Sequence, residues 1–292
     1  MTFHRCLKRP ILYFFFWAVL SAVLFVALMI GYAIFAPDSN LDDMNAPLPF
    51  CIMMLSIIVF LPGAFCRRRP GKVWSGDGRF RWHYARRALL VSLPVTLLSF
   101  LPILRNGFSR APNALLMLGL AVILVPLQSV TEEVIFRSLL PQVFGRWLRS
   151  PWLAYLPSIP LFVAGHTYNW IGLVDIFVFA VCLSVLTVIT NGIEYGCVIH
   201  ACNNFVFFTA GILGYVDVNA ENVGWGQTLL SALTCIVISA ILYYSTPSTA
   251  ERITLVAGEG CASSAAKRSK ATAASAAAWS PSTESSNLAS GE

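Results

Sequence analysis

Three short stretches of this chain put side chains suited to proton transfer and charge stabilisation inside runs that are otherwise apolar. The first, Thr131-Glu132-Glu133-Val134-Ile135-Phe136-Arg137, follows the apolar run 114–130 and precedes Leu139-Leu140. On a helix Glu133 and Arg137 are one turn apart, so the guanidinium can neutralise that carboxylate. Glu132 is displaced by about 100° round the same axis and is free to point elsewhere. The second stretch is Phe162-Val163-Ala164-Gly165-His166 and the third is His200-Ala201-Cys202-Asn203-Asn204. His200 and Asn204 share a helical face, and both can donate hydrogen bonds toward one point. Taken singly, each stretch has a plainer explanation: a helix end emerging into water, a satisfied histidine at a span boundary, a polar pair that glues two helices. Taken together they supply a carboxylate base, a histidine to orient a water and two oxyanion donors. That is the set of parts needed for attack of water on a peptide carbonyl.

Such a site needs a scaffold that brings three separate segments together, and composition dictates its kind. Of 292 residues, 57% are hydrophobic and only 12% charged, too apolar for a soluble domain with a solvated surface. A hydrocarbon core of roughly 30 Å needs about 20 apolar residues per helical crossing. Runs suited to crossing lie at 11–36, 48–66, 88–104, 114–135, 152–166, 173–190, 195–214 and 228–244, with 152–166 expected to be kinked by Pro157 and Pro160. The expectation is therefore an all-α, polytopic membrane protein of about eight transmembrane helices enclosing an intramembrane polar cavity. Residues 1–110 form N-terminal transmembrane helices and a basic cytoplasmic loop, 111–245 the catalytic core, and 246–292 a disordered Ala/Ser-rich tail. The run from Ile11 is too long for a signal peptide and reads as a retained anchor.

Basic residues at the N-terminus, in 67–87, at Arg146 and Arg149 and in the tail alternate with acidic loops holding Asp38, Asp42, Asp43, Asp217 and Glu221. This alternation places both termini in the cytoplasm, with Arg105 and Arg110 as the exception outside. The stretch Arg79–Arg87, with Phe80, Trp82 and Tyr84 interleaved, suits a membrane surface or an ordinary solvated loop equally well. The charge of +6 is spread over such loops, which leaves no face for nucleic acid. Cys51, Cys182, Cys197, Cys202 and Cys235 lie in or against apolar runs with no C-x-x-C pair. They read as small core residues, neither a disulfide framework nor a zinc knuckle.

The motifs E-E-x-x-x-R (Glu132, Glu133, Arg137), F-x-x-x-H (Phe162, His166) and H-x-x-x-N (His200, Asn204) occur in the order and helical setting of the CPBP family. That family comprises type II CAAX prenyl endopeptidases and the Abi bacteriocin-processing or immunity proteins, and the resemblance covers roughly residues 110–215. It implies an intramembrane endopeptidase in which Glu132 is the general base and His166 helps to activate water. Glu133 and Arg137 are then a structural ion pair, and His200 with Asn204 the oxyanion hole. The family has been described both as glutamate proteases and as metalloproteases. A divalent metal such as zinc, if one takes part, would be held by Glu132, His166 and His200. No H-E-x-x-H is present, and spacing between helices does not decide the point. The expected partners are the lipid bilayer and a peptide or membrane-anchored protein substrate. Length and the lack of an organelle-targeting segment fit a bacterial plasma membrane, where a pheromone, a bacteriocin leader or an anchored regulatory protein is favoured over a prenylated CAAX protein. Two rivals use the same groups: a non-catalytic immunity or binding protein, and a proton-coupled transporter.

Overall fold

The computed structural model describes residues 10–35, 43–65, 69–106, 113–148 and 150–246. Arg67, Arg68, Arg110, Arg149, Asp38 and Asp42, and the tail from 247 onward, lie outside the described residues. Every named element is a helix. In chain order these are α1 (Pro10–Phe35), α2 (Pro47–Ile58), α3 (Leu61–Phe65), α4 (Gly71–Trp74), α5 (Trp82–Phe100) and α6 (Ala114–Glu133). There follow α7 (Leu140–Phe144), α8 (Pro151–Tyr155), α9 (Ser158–Ala164), α10 (Trp170–Thr190), α11 (Glu194–Ile212) and α12 (Trp225–Tyr244).

Among the described residues, six segments are long and apolar enough to cross a membrane: Ile11–Phe35, Pro47–Phe65, Trp82–Arg105, Ala114–Phe144, Trp170–Thr190 and Trp225–Tyr244. Two expected spans differ from these in kind. Helix α11 has 19 residues, about 28 Å at the helical rise, but Glu194, His200, Asn203 and Asn204 make it polar, and α5, α6 and α10 surround it. The 152–166 run is two short helices, Pro151–Ala164 in all. Pro157, which lacks an N–H, divides them, while Pro160 falls in the first turn of α9, where no donor is needed. His166 consequently lies beyond α9, in a non-helical stretch of residues 166–169.

Contacts at the helix ends sort the loops. At one end Tyr13 donates to the carbonyls of Gly63 and Ala64, Ser138 donates to the carbonyl of Val73, and Arg87 donates to that of Ser245. At the other, the Met44 amide donates to Asn219, and Asn169 donates through its backbone to Glu221 and through its side chain to Val223. The chain thus alternates between ends, with α8 and α9 together making one passage. Arg69, Lys72, Arg79, Arg86, Arg87 and Arg146 collect at the first end, and Asp43, Asp217 and Glu221 at the second.

Segment 69–81 ties the basic end together. Gln142 donates to the Lys72 carbonyl, the Ile193 amide to Trp74 and the Gly76 amide to Asn191. Arg81, expected in a surface stretch, is buried instead, and grips Glu194 at the start of α11 through Nε and Nη2, both at 2.7 Å. Burial opposes the charge on Arg81, but hydrogen bonding and charge from Glu194, with Asp77, outweigh it and hold the guanidinium above its ordinary range. Trp82, His83, Arg86 and Arg87 are exposed on the opposite side of the same helical turn. Gly192 is required beside the pair, because a Cβ there would sit 2.1 Å from Arg81 Nη2.

Removing one member of a buried ion pair strands the other charge. Arg81→Met is expected to cost about 3–5 kcal/mol, read as a lower thermal midpoint in detergent. Adding Glu194→Leu should recover most of that loss.

Candidate active site

Helices α6 and α11, which carry the first and third motifs, pack antiparallel against each other. Past Glu133 the α6 helix widens into a π turn, Val134–Leu139, in which the Leu140 amide reaches back to the Ile135 carbonyl. Pro141 accounts for this: it offers no N–H to the Arg137 carbonyl and its ring crowds that oxygen, so the ladder opens just upstream. His200 lies six residues into α11, about 9 Å from its start, which places the site inside the bundle near the basic end.

Glu133 is fully buried. Its Oε1 accepts from Arg137 Nη1 at 3.0 Å and from His200 Nδ1 at 2.8 Å. The pairing with Arg137 matches the local spacing, but the bond to His200 couples two groups that the sequence reading had kept apart. A carboxylate oxygen already shared with a guanidinium can only accept, so Nδ1 of His200 carries a proton. Its Nε2 lies 3.5 Å from Glu132 Oε2. Glu132 Oε1 accepts from Gln128 Nε2 at 2.5 Å. Glu132 Oε2, Glu133 Oε2 and Arg137 Nη2 are buried and find no hydrogen-bond partner among the described residues, which leaves the site with capacity for water or a substrate amide.

Phe162 is the hub that unites the second motif with the other two. Its ring lies under the Arg137 guanidinium at 4.1 Å, edge-on to His200 at 6.0 Å and against His166 at 4.9 Å. His166 Nδ1 is 2.9 Å from the Phe162 carbonyl. A carbonyl only accepts, so Nδ1 is the donor, and in the neutral ring Nε2 keeps its lone pair. Asn204 shares the His200 face as expected, but its amide donates to Gln128 at 3.4 Å.

Two positions here escaped the sequence reading. Gln128 looked like one polar residue in an apolar run, although it lies one turn before Glu132 and that spacing was a usable signal. Gly196 carries no chemistry of its own, yet a Cβ there would meet Glu133 Oε2 at 2.6 Å. Among the described residues no group of three or more His, Cys, Asp or Glu side chains is placed to hold a metal ion. Glu132, His166 and His200 do not form such a cluster. The five cysteines in apolar helices are free, in keeping with their reading as core residues.

Residues 111–206 match the family model for type II CAAX prenyl endopeptidase Rce1-like proteins. This segment is therefore similar to an Rce1-like domain. It holds all six candidate residues, lies inside the expected core of 111–245 and agrees with the CPBP resemblance of the three motifs. The family supports proteolytic activity in general, within a multi-pass membrane protein. A curated relative, the uncharacterized protein YyaK of Bacillus subtilis (strain 168), is 26% identical over 261 residues, covering 78% of this chain and 85% of the relative. No solved structure matches the chain.

The Rce1-like core depends on close approach at Gly196. Gly196→Ala forces a methyl group against the Glu133 carboxylate and is expected to cost about 1–3 kcal/mol. Differential scanning fluorimetry in detergent reads this cost. Combining it with Glu133→Asp, which withdraws the carboxylate by one methylene, should cost less than the sum of the two single changes.

Proposed function

We propose that the chain is an intramembrane endopeptidase that hydrolyses a peptide bond of a membrane-associated peptide or protein by metal-free activation of water. The observation that carries this reading is the convergence of Glu132, Glu133, Arg137 and His200 on one buried site, to which the Phe162 ring joins His166 from a third segment.

Each group has a role that its surroundings suit. Water donates its two protons toward Glu132 Oε2 and the His166 Nε2 lone pair, which leaves an oxygen lone pair for the carbonyl carbon. As the C–O bond forms, one proton passes to Glu132 and the carbonyl oxygen becomes an oxyanion. His200 Nε2 and the second N–H of Asn204 donate to it. His200 can do this while Nδ1 donates to Glu133 only when both ring nitrogens are protonated, and the flanking carboxylates supply the countercharge. Glu132 then returns its proton to the leaving nitrogen as the C–N bond breaks. Glu133 and Arg137 hold His200 in place and touch no substrate.

The basic end of the bundle faces the cytoplasm under the positive-inside rule, with both termini on that side of a plasma membrane. The site then lies a short way in from the cytoplasmic surface, accessible to a substrate segment anchored in the bilayer.

The test is purified protein in detergent or liposomes, incubated with a membrane-proteome or peptide library, with and without a chelator. Cleavage that persists with chelator and falls by about 10²–10⁴-fold in Glu132→Gln is the expected result. Chelator-sensitive cleavage overturns the metal-free part. An absence of cleavage transfers the site to a scaffold or, if pH-coupled flux is found and is lost in Glu132→Gln, to a transporter.

A further inference from the structure

Four side chains line up as two rungs between α6 and α11. Gln128 and Glu132 are one turn apart on the first helix, His200 and Asn204 one turn apart on the second, and the antiparallel packing sets 132 opposite 200 and 128 opposite 204. One rung is the 3.5 Å approach of His200 Nε2 to Glu132 Oε2, and the other is the donation from Asn204 Nδ2 to Gln128 Oε1 at 3.4 Å. The side bar on α6 is the donation from Gln128 Nε2 to Glu132 Oε1 at 2.5 Å. Ser129 Oγ adds a second donor to Gln128 Oε1 at 3.3 Å, and Asn203 Nδ2 donates to Asn204 Oδ1 at 3.3 Å. Gln128 is 6% exposed.

The direction of every bond in this chain is fixed by chemistry. Turning the Gln128 amide over would set its oxygen against a carboxylate oxygen and its nitrogen against the Asn204 nitrogen, two unfavourable contacts at once. Turning Asn204 over would face its oxygen to the Gln128 oxygen and its nitrogen to the Asn203 donor. The terminal torsions of Glu and Asn are otherwise broad and soft, so without these bonds neither group has a defined plane. Anchoring Glu132 by Oε1 leaves Oε2 as its working oxygen. Taking one of the two Asn204 amide hydrogens leaves the other aimed away from Gln128.

We propose that Gln128 is a positioning residue that sets the general base and an oxyanion donor from a single side chain, holding Glu132 through Nε2 and Asn204 through Oε1. This rests on the proteolytic reading given above. It adds to that reading a residue outside the three motifs, and it makes the base and the oxyanion donor mechanically dependent on each other. Gln128 does not contact the reacting atoms, so its loss acts on turnover and not on substrate affinity.

The experiment compares wild type with Gln128→Met, which keeps the volume and helix preference while deleting both hydrogen bonds, on a substrate cleaved by the wild type. The expected result is a fall in kcat of about 10–100-fold with KM changed less than about twofold. Gln128→Met added to Asn204→Ala should cost less than the product of the two single losses, because one of the two groups that Gln128 positions is already gone and only its hold on Glu132 remains to be lost. Thermal midpoints of the same four proteins provide a readout independent of activity and should show coupling between the two positions. A folded Gln128→Met with wild-type kcat, or losses that multiply with those of Asn204→Ala, overturns the proposal while leaving the protease reading intact. A wild type that cleaves nothing overturns the protease reading itself, and with it any catalytic role for Gln128.

Discussion

The interior of this bundle depends on the Glu133 carboxylate, which is fully buried and accepts at one oxygen from both Arg137 and His200. An ionised carboxylate among apolar helices is costly unless it is paired and hydrogen-bonded. Here the countercharge comes from its own helix and the second donor from another. One oxygen therefore locks α6 to α11, fixes which nitrogen of His200 carries a proton and draws the Arg137 guanidinium over Phe162. Gly196 makes this possible by offering no side chain where Glu133 must approach.

A second buried ion pair sets the same two helices from their ends. Arg81 and Glu194 join the segment before α5 to the first residue of α11, while Ser138 and Gln142 join the far end of the α6 passage to residues 72 and 73. Segment 69–81 thus acts as a brace across the basic end. The register of His200 against Glu132 is held both at the site and two turns away from it. The Arg81–Glu194 pair and the His200–Glu133 bond are close in space but distant in sequence, and such cross-links hold a polar site inside a bundle with little hydrophobic drive between helices.

What the sequence disclosed and what it withheld follow from this distinction. Spacing within a helix is readable, so the Glu133–Arg137 pair and the shared face of His200 and Asn204 were legible, as was the all-helical membrane architecture. Contacts between helices are not written in spacing. The bond from His200 to Glu133, the partner of Arg81 and the use of Gln128 were therefore missed, although a lone amide one turn before Glu132 was a visible signal. Pro141 was visible too, but that it would open a π turn beside Arg137 depends on what the surrounding helices tolerate. The run 152–166 was expected to be interrupted by Pro157 and Pro160; the break falls at Pro157, whereas the accommodation of Pro160 in the first turn of α9 and the release of His166 from any helix required the folded chain.

That passage has a consequence for the bilayer itself. Residues 151–164 form two short helices, Pro151–Tyr155 and Ser158–Ala164, which at the helical rise reach at most about 21 Å, well short of a hydrocarbon layer roughly 30 Å thick. Trp152, Leu153, Leu156 and Leu161 face outward along it. Acyl chains that pack against this side must shorten, tilt or splay to keep their ends from water, a mismatch that thins the membrane locally. The thinning lies next to Phe162 and His166. An anchored chain arriving there meets less oil than elsewhere round the protein, and its extended backbone is brought closer to water before any protein group touches it.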